Sequence, residues 1–288
     1  MTNFLFALIW LVHFLPLRAI AWIGSVAGSA IFWLVAERRT VTRINLEKCF
    51  PQMPPAERER LARAHFRAFG RSFVEHGLWW WASRERIEHL VHVEGLEHLR
   101  ACAGAPVILL TPHFVGLDAA ATRLSAETSG VGMYAQQKNA RFAALLSRGR
   151  GRFGEQIQVS RQEGVRALLR HMHAGRLLYY LPDQDFGPRD SIFVPFFGVP
   201  AATVPALSRI ARLTNARVLP CIASMLPGGK GYRVRIEPPW SGFPTADPTA
   251  DTARMNAYIE SRVLDMPEQY FWMHKRFKTR PPGEARFY

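Results

Sequence analysis

The sequence lacks the short motifs that mark many nucleotide-dependent and metal-dependent enzymes. It has no glycine-rich phosphate-binding loop of either common type and no Gly-x-Ser-x-Gly nucleophile elbow. Its three cysteines, Cys49, Cys102 and Cys221, are odd in number and widely spaced, so they suggest neither a zinc cluster nor a disulfide framework. We therefore expect no metal and no cofactor, and a reducing compartment.

Charged side chains are almost absent from residues 1–36, where Arg18 is the only one. Ala19–Ala36 is an uncharged run of 18 residues, which reaches the lower limit for a membrane-spanning helix, and Phe4–Leu15 is a second apolar run. Basic residues follow, and the positive-inside tendency then places residues 37–288 in the cytoplasm. We predict a membrane anchor over 1–36, of one or more helices. A monotopic anchor in the membrane interface and a buried hairpin of two core helices are the alternatives.

Acidic side chains are the minority throughout the chain. Lysine and arginine number 37 against 23 aspartates and glutamates, which gives a formal net charge of +14. Such a balance favours an acidic partner: nucleic acid, an anionic membrane, a phosphorylated substrate or an acidic carrier protein.

Beyond the anchor, the pattern predicts an α/β fold with a mostly parallel mixed sheet flanked by helices over residues 37–288. A long helix is predicted at Ala56–Trp81. β-rich runs follow at Val91–Val93, Val107–Leu110, Gly130–Ala135, Leu177–Leu181, Val218–Ala223 and Tyr232–Ile236. Helical segments separate several of them, at Gly116–Glu127, Ala140–Phe153, Glu163–Ala174, Val204–Thr214 and Asp251–Leu264.

A histidine and a carboxylate stand where such a sheet has its active site. His113 follows the buried-looking strand Val107–Leu110, and Asp118 lies five residues later at the start of a predicted helix. The carboxyl ends of parallel strands are where ligands bind, so His113 could act as a base that Asp118 orients. Taken alone, a pair at this spacing is more often a capping histidine beside an aspartate that begins a helix.

Three further stretches carry polar or aromatic residues of interest. Pro182–Asp190 contains two aspartates after a strand and could orient a base or form a turn. Phe193–Pro200 is apolar and could line a channel for an alkyl chain or belong to the core. Basic residues at 148–152, and basic and aromatic residues at 270–280, fit a membrane interface or single-stranded nucleic acid.

Together these stretches resemble the lipid A biosynthesis acyltransferases of Gram-negative bacteria, the late lauroyl/myristoyl-transferring branch of the lysophospholipid acyltransferase superfamily. The resemblance covers nearly the whole chain. Its motifs are the His-x4-Asp pair His113/Asp118; Gly149–Arg152; Pro182–Arg189; Phe193–Gly198 with Ala201–Thr203; and the long stretch Pro267–Pro281. The family pair is often His-x4-Glu, so this chain carries the shorter acid.

The resemblance implies a glycerolipid-acyltransferase-like fold and the role of each matched residue. His113 would deprotonate a hydroxyl of a lipid A precursor, oriented by Asp118, for attack on the thioester of an acyl–acyl carrier protein. Substrate-binding residues would be Arg150 and Arg152 near phosphates or developing charge, Asp183 and Asp185 near the active site, Arg189 on a phosphate, and Phe196, Phe197 and Gly198 beside the acyl channel.

The implied partners are acyl carrier protein, an anionic glycolipid and the bacterial inner membrane, with the catalytic domain on the cytoplasmic face and no nucleic acid. Two alternatives remain open on the residues alone. One keeps the chemistry and changes the acceptor to another glycolipid, a phospholipid or an aminolipid. The other is a membrane-anchored nucleic-acid-binding protein that uses the basic and aromatic stretches.

Overall fold

A computed structural model describes residues 2–134, 140–160 and 163–288. Its helices are α1 (Thr2–Val12), α2 (Leu17–Leu34), α3 (Ala36–Cys49), α4 (Pro55–Trp81), α5 (Arg84–Leu90), α6 (Leu96–Arg100), α7 (Leu117–Leu124), α8 (Ala140–Arg150), α9 (Gly164–His173), α10 (Ala206–Thr214) and α11 (Pro248–Asp265). Its strands are β1 (Val91–Glu94), β2 (Val107–Leu110), β3 (Gly130–Tyr134), β4 (Gln156–Ser160), β5 (Leu177–Tyr180), β6 (Ile192–Phe196), β7 (Val199–Thr203), β8 (Arg217–Met225) and β9 (Tyr232–Ile236).

Seven of these strands form one mostly parallel sheet in the order β1-β9-β8-β2-β5-β3-β4, in which the β8–β9 pair alone is antiparallel. The predicted α/β class is therefore confirmed. The central strand β2 is buried along its whole length. Ile108 and Leu110 join the core on one face of the sheet, and Val107 and Leu109 join the core on the other, because successive side chains of a strand alternate.

The six predicted strands and all the predicted helices form, with ends shifted by a few residues. Ala135, the predicted last residue of β3, lies outside the described residues. Strand β4, at the edge of the sheet, was not expected, although its sequence Gln-Ile-Gln-Val-Ser alternates polar and apolar side chains as a half-buried strand does. The hairpin β6–β7 was also unexpected. It forms a separate two-stranded sheet, where Pro195 and Pro200 are tolerated at an edge.

The predicted anchor, of which Met1 lies outside the described residues, folds as α1 and α2, and α2 packs along α4. The helices approach closely at glycines. A Cβ atom on Gly28 would lie 2.1 Å from the carbonyl oxygen of Phe66, and one on Gly70 would lie 2.3 Å from that of Gly24. Only residues without a side chain permit this backbone contact, so α2 is joined to the body rather than separate from it.

The opposite face of α2 is apolar and exposed. Trp22, Trp33 and Leu34 have 69%, 61% and 81% of their surface accessible, and Leu11 of α1 and Phe14 in the turn after it are exposed as well. Exposed aromatic and aliphatic side chains grouped in this way are typical of a surface that contacts lipid or another protein. Among the described residues one helix, α2, has the length and composition to cross a membrane.

Candidate active site

His113 lies in the loop between β2 and α7, at the carboxyl edge of the parallel strands. The C-terminal segment holds this loop, since the carbonyl of His113 accepts a hydrogen bond from the Phe271 amide at 3.0 Å and the Val115 amide donates to the Gln269 carbonyl at 2.9 Å. The loop faces a cleft of about 690 Å³. The cleft is lined by His113, Leu117, Asp118 and Ala121; Gly132 and Met133; Ala143, Ala144, Leu146, Ser147 and Arg150; Gln156, Ile157 and Gln158; and Tyr179, Leu181, Gln184 and Phe186.

Asp183 holds the His113 ring. Its Oδ1 lies 2.7 Å from the ring Nδ1, and its Oδ2 accepts the backbone N–H of His113 at 2.9 Å. An ionised carboxylate only accepts hydrogen bonds, so Nδ1 carries the proton. In the neutral ring, Nε2 is then left with a lone pair, to which the side-chain amide of Gln184 donates at 3.2 Å. This tautomer is the one that a general base needs.

Asp183 stays ionised although it is buried. Burial raises its pKa, but the nearby His113 ring and the two hydrogen bonds from His113 lower it by more, so the pKa of Asp183 falls below its ordinary value. The carboxylate can therefore fix the ring and stabilise the imidazolium that forms when Nε2 accepts a proton.

Asp118 does not make the predicted contact with His113. Its Oδ1 accepts hydrogen bonds from Arg150 at 3.0 Å (Nε) and 2.7 Å (Nη2), and its Oδ2 lies 3.2 Å from Nε2 of His76. In the described chain no hydrogen bond joins Asp118 to His113. The reason is its place on α7: the side chain turns towards α4 and α8, which pack against this helix. Burial raises the pKa of Asp118, but Arg150 and His76 lower it well below its ordinary range.

The two motif arginines have different surroundings. Arg150 lines the cleft beside Asp118, and its Nη1 makes no hydrogen bond to another described residue. Arg152 instead donates to the backbone carbonyls of Trp79 at 3.0 Å, and of Ala82, at the C-terminal end of α4. There it satisfies carbonyls that a helix leaves unpaired, and it is not among the cleft-lining residues.

Asp185 binds the C-terminal segment. Its carboxylate accepts the N–H of Thr279 at 2.6 Å, the hydroxyl of Thr279 at 2.8 Å and the N–H of Gly187 at 2.9 Å. The N–H of Asp185 donates to Nε2 of His274 at 2.9 Å. Arg189 is exposed, and its guanidinium is 3.9 Å from Asp190. The structure thus brings Asp183 to His113 and places Asp185 and Arg189 elsewhere.

The three residues predicted beside the acyl channel form the turn of the β6–β7 hairpin. Phe196 is buried against Tyr270 and Phe277, and Phe197 and Gly198 take the positive φ angles of +51° and +74° that close the turn. None of the three is among the described residues that line the cleft. Its apolar wall is formed by other residues, including Leu117, Met133, Leu181 and Phe186.

Sequence reasoning missed Gln184 and His76 as members of this site. Gln184 lies in the stretch Pro182–Asp190, where the sequence pattern draws attention to the aspartates and not to the glutamine. His76 was hidden in an aromatic helix, although Glu75-His76, a polar pair before three tryptophans, was an available signal. The described residues contain no group of three or more histidine, cysteine, aspartate or glutamate side chains able to hold a metal ion.

The basic and aromatic stretch over 270–280 is largely internal. Tyr270, Trp272 and Phe277 are core residues, and Arg276 is buried, donating to the carbonyl of Ala202 and the hydroxyl of Thr203 at 2.9 and 2.8 Å. These side chains do not form the exposed surface that the nucleic-acid hypothesis requires.

A fold of this class with a histidine at the carboxyl edge of the sheet is compatible with acyl transfer to a hydroxyl, and comparison with known proteins specifies the family. Residues 1–279 match the model of the family described as bacterial lipid A biosynthesis acyltransferase. The chain belongs to this family, and it is an acyltransferase of lipid A biosynthesis.

Curated relatives from Escherichia coli K12 agree over nearly full length. The lipid A biosynthesis lauroyltransferase is 33% identical over 279 residues, covering 96% of this chain and 90% of the relative. The lipid A biosynthesis palmitoleoyltransferase is 32% identical over 291 residues, covering 100% of this chain and 94% of the relative. The lipid A biosynthesis myristoyltransferase is 32% identical over 274 residues, covering 93% of this chain and 83% of the relative. A crystal structure of the 1-acyl-sn-glycerophosphate acyltransferase of Thermotoga maritima aligns over 84% of this chain and 96% of that one, with 12% identity and a TM-score of 0.40. The family and the apolar α2 fit a membrane-associated protein.

Proposed function

We propose that this protein transfers a fatty acyl chain from acyl–acyl carrier protein to a hydroxyl of a lipid A precursor, at the cytoplasmic face of the bacterial inner membrane. The observation that carries the proposal is the 2.7 Å contact between Nδ1 of His113 and the Asp183 carboxylate. Asp183 fixes the proton on Nδ1, which leaves Nε2 as an acceptor at the wall of the cleft.

In the proposed reaction, the acceptor hydroxyl replaces the Gln184 amide at Nε2 of His113. Nε2 removes the hydroxyl proton while the oxygen attacks the thioester carbonyl carbon. The C–S bond then breaks, and the thiolate of the carrier leaves with the proton from His113. The ester forms without a covalent acyl-enzyme, as the resemblance to the family implies. Asp183 stabilises the transient imidazolium.

Asp118 and Arg150 have a different role in this proposal. Asp118, rather than orienting His113, fixes Arg150 by two hydrogen bonds to one carboxylate oxygen. The guanidinium then offers its remaining N–H groups to an anionic group of the acceptor, because arginine is well suited to phosphate contacts. Loss of Arg150 should therefore raise the KM for the acceptor more than it lowers kcat.

Charge and the N-terminal helices support the proposed partners and location. A formal charge of +14 attracts an acidic carrier protein and a phosphorylated lipid to the same molecule. The exposed apolar face of α1 and α2 suits contact with lipid, and Phe6 of α1 stacks on Phe142 of α8, a helix of the cleft wall. The cleft would then lie close to the membrane from which the acceptor enters.

The test is to incubate the purified full-length protein with a series of acyl–acyl carrier proteins and a lipid A precursor, and to measure product masses. We expect a mass gain of one acyl chain with the wild type and none with folded His113→Ala. No mass gain on any lipid A precursor, with turnover on a phospholipid or aminolipid acceptor, would contradict the proposal.

A further inference from the structure

His76 lies in α4 behind the cleft, and both of its ring nitrogens face oxygens that only accept hydrogen bonds. Nδ1 lies 2.7 Å from the backbone carbonyl of Ser72, and Nε2 lies 3.2 Å from Oδ2 of Asp118. Asp118 is ionised, since its pKa is held below the ordinary range. Both contacts are hydrogen bonds only if both nitrogens carry a proton, as in the imidazolium form.

The surroundings of His76 are compatible with a positive charge. Asp118 faces it from α7, with Arg150 of α8 beyond that carboxylate, and Glu75 of its own helix is adjacent in sequence. Glu75 pairs with Arg71 at 3.2 Å and accepts a hydrogen bond from Tyr232 of β9. The ring of Trp80 packs against the imidazole, with centroids 5.2 Å apart, so the side chain is confined.

We propose that His76 is a positioning residue, whose imidazolium holds the Asp118 carboxylate and through it the Arg150 guanidinium at the cleft wall that receives the anionic group of the acceptor. The inference rests on the proposed function. Asp118 divides its two oxygens between these cations, Oδ2 to His76 and Oδ1 to Arg150.

Three substitutions separate the bond to Asp118 from the bond to Ser72. In His76→Gln the amide nitrogen is as many bonds from Cβ as Nε2 of histidine, so it can still donate to Asp118. In His76→Asn the amide nitrogen matches Nδ1 and can donate only to Ser72. His76→Phe keeps a ring without any donor. His65→Gln is the matched control, because His65 is a buried histidine of the same helix that bonds the Glu268 carbonyl away from the cleft.

The kinetic readout is kcat and the KM for a lipid A precursor, measured with the thermal stability of each variant. His76→Asn and His76→Phe should raise this KM by about tenfold or more, the effect of losing one hydrogen bond to a charged group, with kcat within about threefold of the wild type. His76→Gln should recover most of the wild-type KM. His65→Gln should lower stability without changing KM.

Each other outcome overturns the inference. Equal losses in all three His76 variants, in proportion to lowered stability, mean that His76 is only structural. A fall in kcat at constant KM means that Asp118 acts on His113 instead of Arg150. An unchanged KM in His76→Phe means that His76 does not position Arg150.

A second readout is independent of turnover and so distinguishes failure of this inference from failure of the proposed function. Nitrogen-15 NMR of histidine-labelled full-length protein in detergent, with His76→Gln used for assignment, reports the protonation of each ring. We expect both ring nitrogens of His76 to carry a proton, because each faces an oxygen that only accepts hydrogen bonds. A neutral ring would overturn the inference even if the enzyme acylates lipid A precursors.

Discussion

Replacing Asp183 by asparagine tests the tautomer on which the proposed chemistry depends. The carboxylate makes two contacts with His113, at 2.7 Å to Nδ1 and at 2.9 Å to the backbone N–H. An asparagine cannot accept both hydrogen bonds, because one of the two groups at the end of its side chain is an NH2 donor. In one orientation the NH2 group faces the backbone N–H of His113, so two donors meet. In the other orientation the NH2 group donates to Nδ1, and the ring proton moves to Nε2.

The second arrangement removes the lone pair that would accept the hydroxyl proton. Loss of one hydrogen bond to a charged group costs about 1.5–3 kcal/mol, which corresponds to about 10- to 150-fold in rate. In the Ser-His-Asp triad the same substitution lowers kcat by about 10⁴-fold, because the histidine adopts the wrong tautomer. We therefore expect Asp183→Asn to lower kcat by about 10²- to 10⁴-fold with little change in either KM.

Steady-state acyl transfer, with product quantified by mass spectrometry, measures this effect. Asp185→Asn is the matched control, since Asp185 lies in the same loop but bonds Thr279 and Gly187. It should lower thermal stability while folded enzyme retains its kcat. The reasoning is refuted if Asp183→Asn, folded and stable, keeps kcat within about threefold of the wild type.

Three further predictions concern stability and binding. Gly28→Ala should destabilise the protein by about 1–3 kcal/mol, because the added Cβ would overlap the Phe66 carbonyl. Ala30→Leu on the exposed face of α2 should leave the free energy of unfolding unchanged, and denaturant unfolding measures both variants. Arg152→Ala should lower stability, because it removes the donor to the last carbonyls of α4, and should leave the KM for the acceptor unchanged. Arg150→Ala should raise that KM, because Arg150 lines the cleft; equal effects of the two variants on the KM would contradict the different roles assigned to the two arginines. Burial lowers the pKa of His65 and of His274 to about 4. The unfolded chain, with histidine pKa values near about 6.5, then binds more protons between these limits, so the free energy of unfolding should fall as pH drops from about 6.5 towards about 4, by up to about 1.4 kcal/mol per pH unit for each histidine. His65→Gln should remove one of these two contributions, and an unchanged slope would exclude it.

The main elements could be predicted because local patterns determine them. The run Val107–Leu110 reads as a strand buried on both faces, and its predicted and observed bounds are the same. The long helix ending at Trp81 was also expected, and its last tryptophans divide as core packing requires, with Trp79 and Trp80 buried and Trp81 half-buried. Strand β4 was missed, because its alternating pattern is only five residues long with two apolar side chains and its pairing with β3 is a tertiary contact.

The partners within the site depended on side-chain directions that sequence spacing does not contain. The His-x4-Asp spacing predicted a pair, yet Asp118 turns towards Arg150 and His76, and Asp183 from the loop after β5 holds His113. Asp183 is 70 positions from His113 in the sequence, and Asp118 is 42 positions from His76. No local periodicity relates such positions. The parallel pairing of β2 with β5 brings Asp183 to His113, and the packing of α4 and α8 against α7 brings His76 and Arg150 to Asp118.

The sequence by itself determined the α/β class, the apolar N-terminus, the basic charge, the family and the place of His113 at the end of a strand. Each of these follows from composition, periodicity or motif identity, which are properties of neighbouring residues. The tertiary structure alone decided which carboxylate holds His113, that Arg152 and Asp185 bind backbone and the C-terminal segment rather than line the cleft, and that α2 lies against α4. Those outcomes depend on which side chains meet across the core, where hydrogen-bond geometry and close packing select one partner among several of the same chemical type.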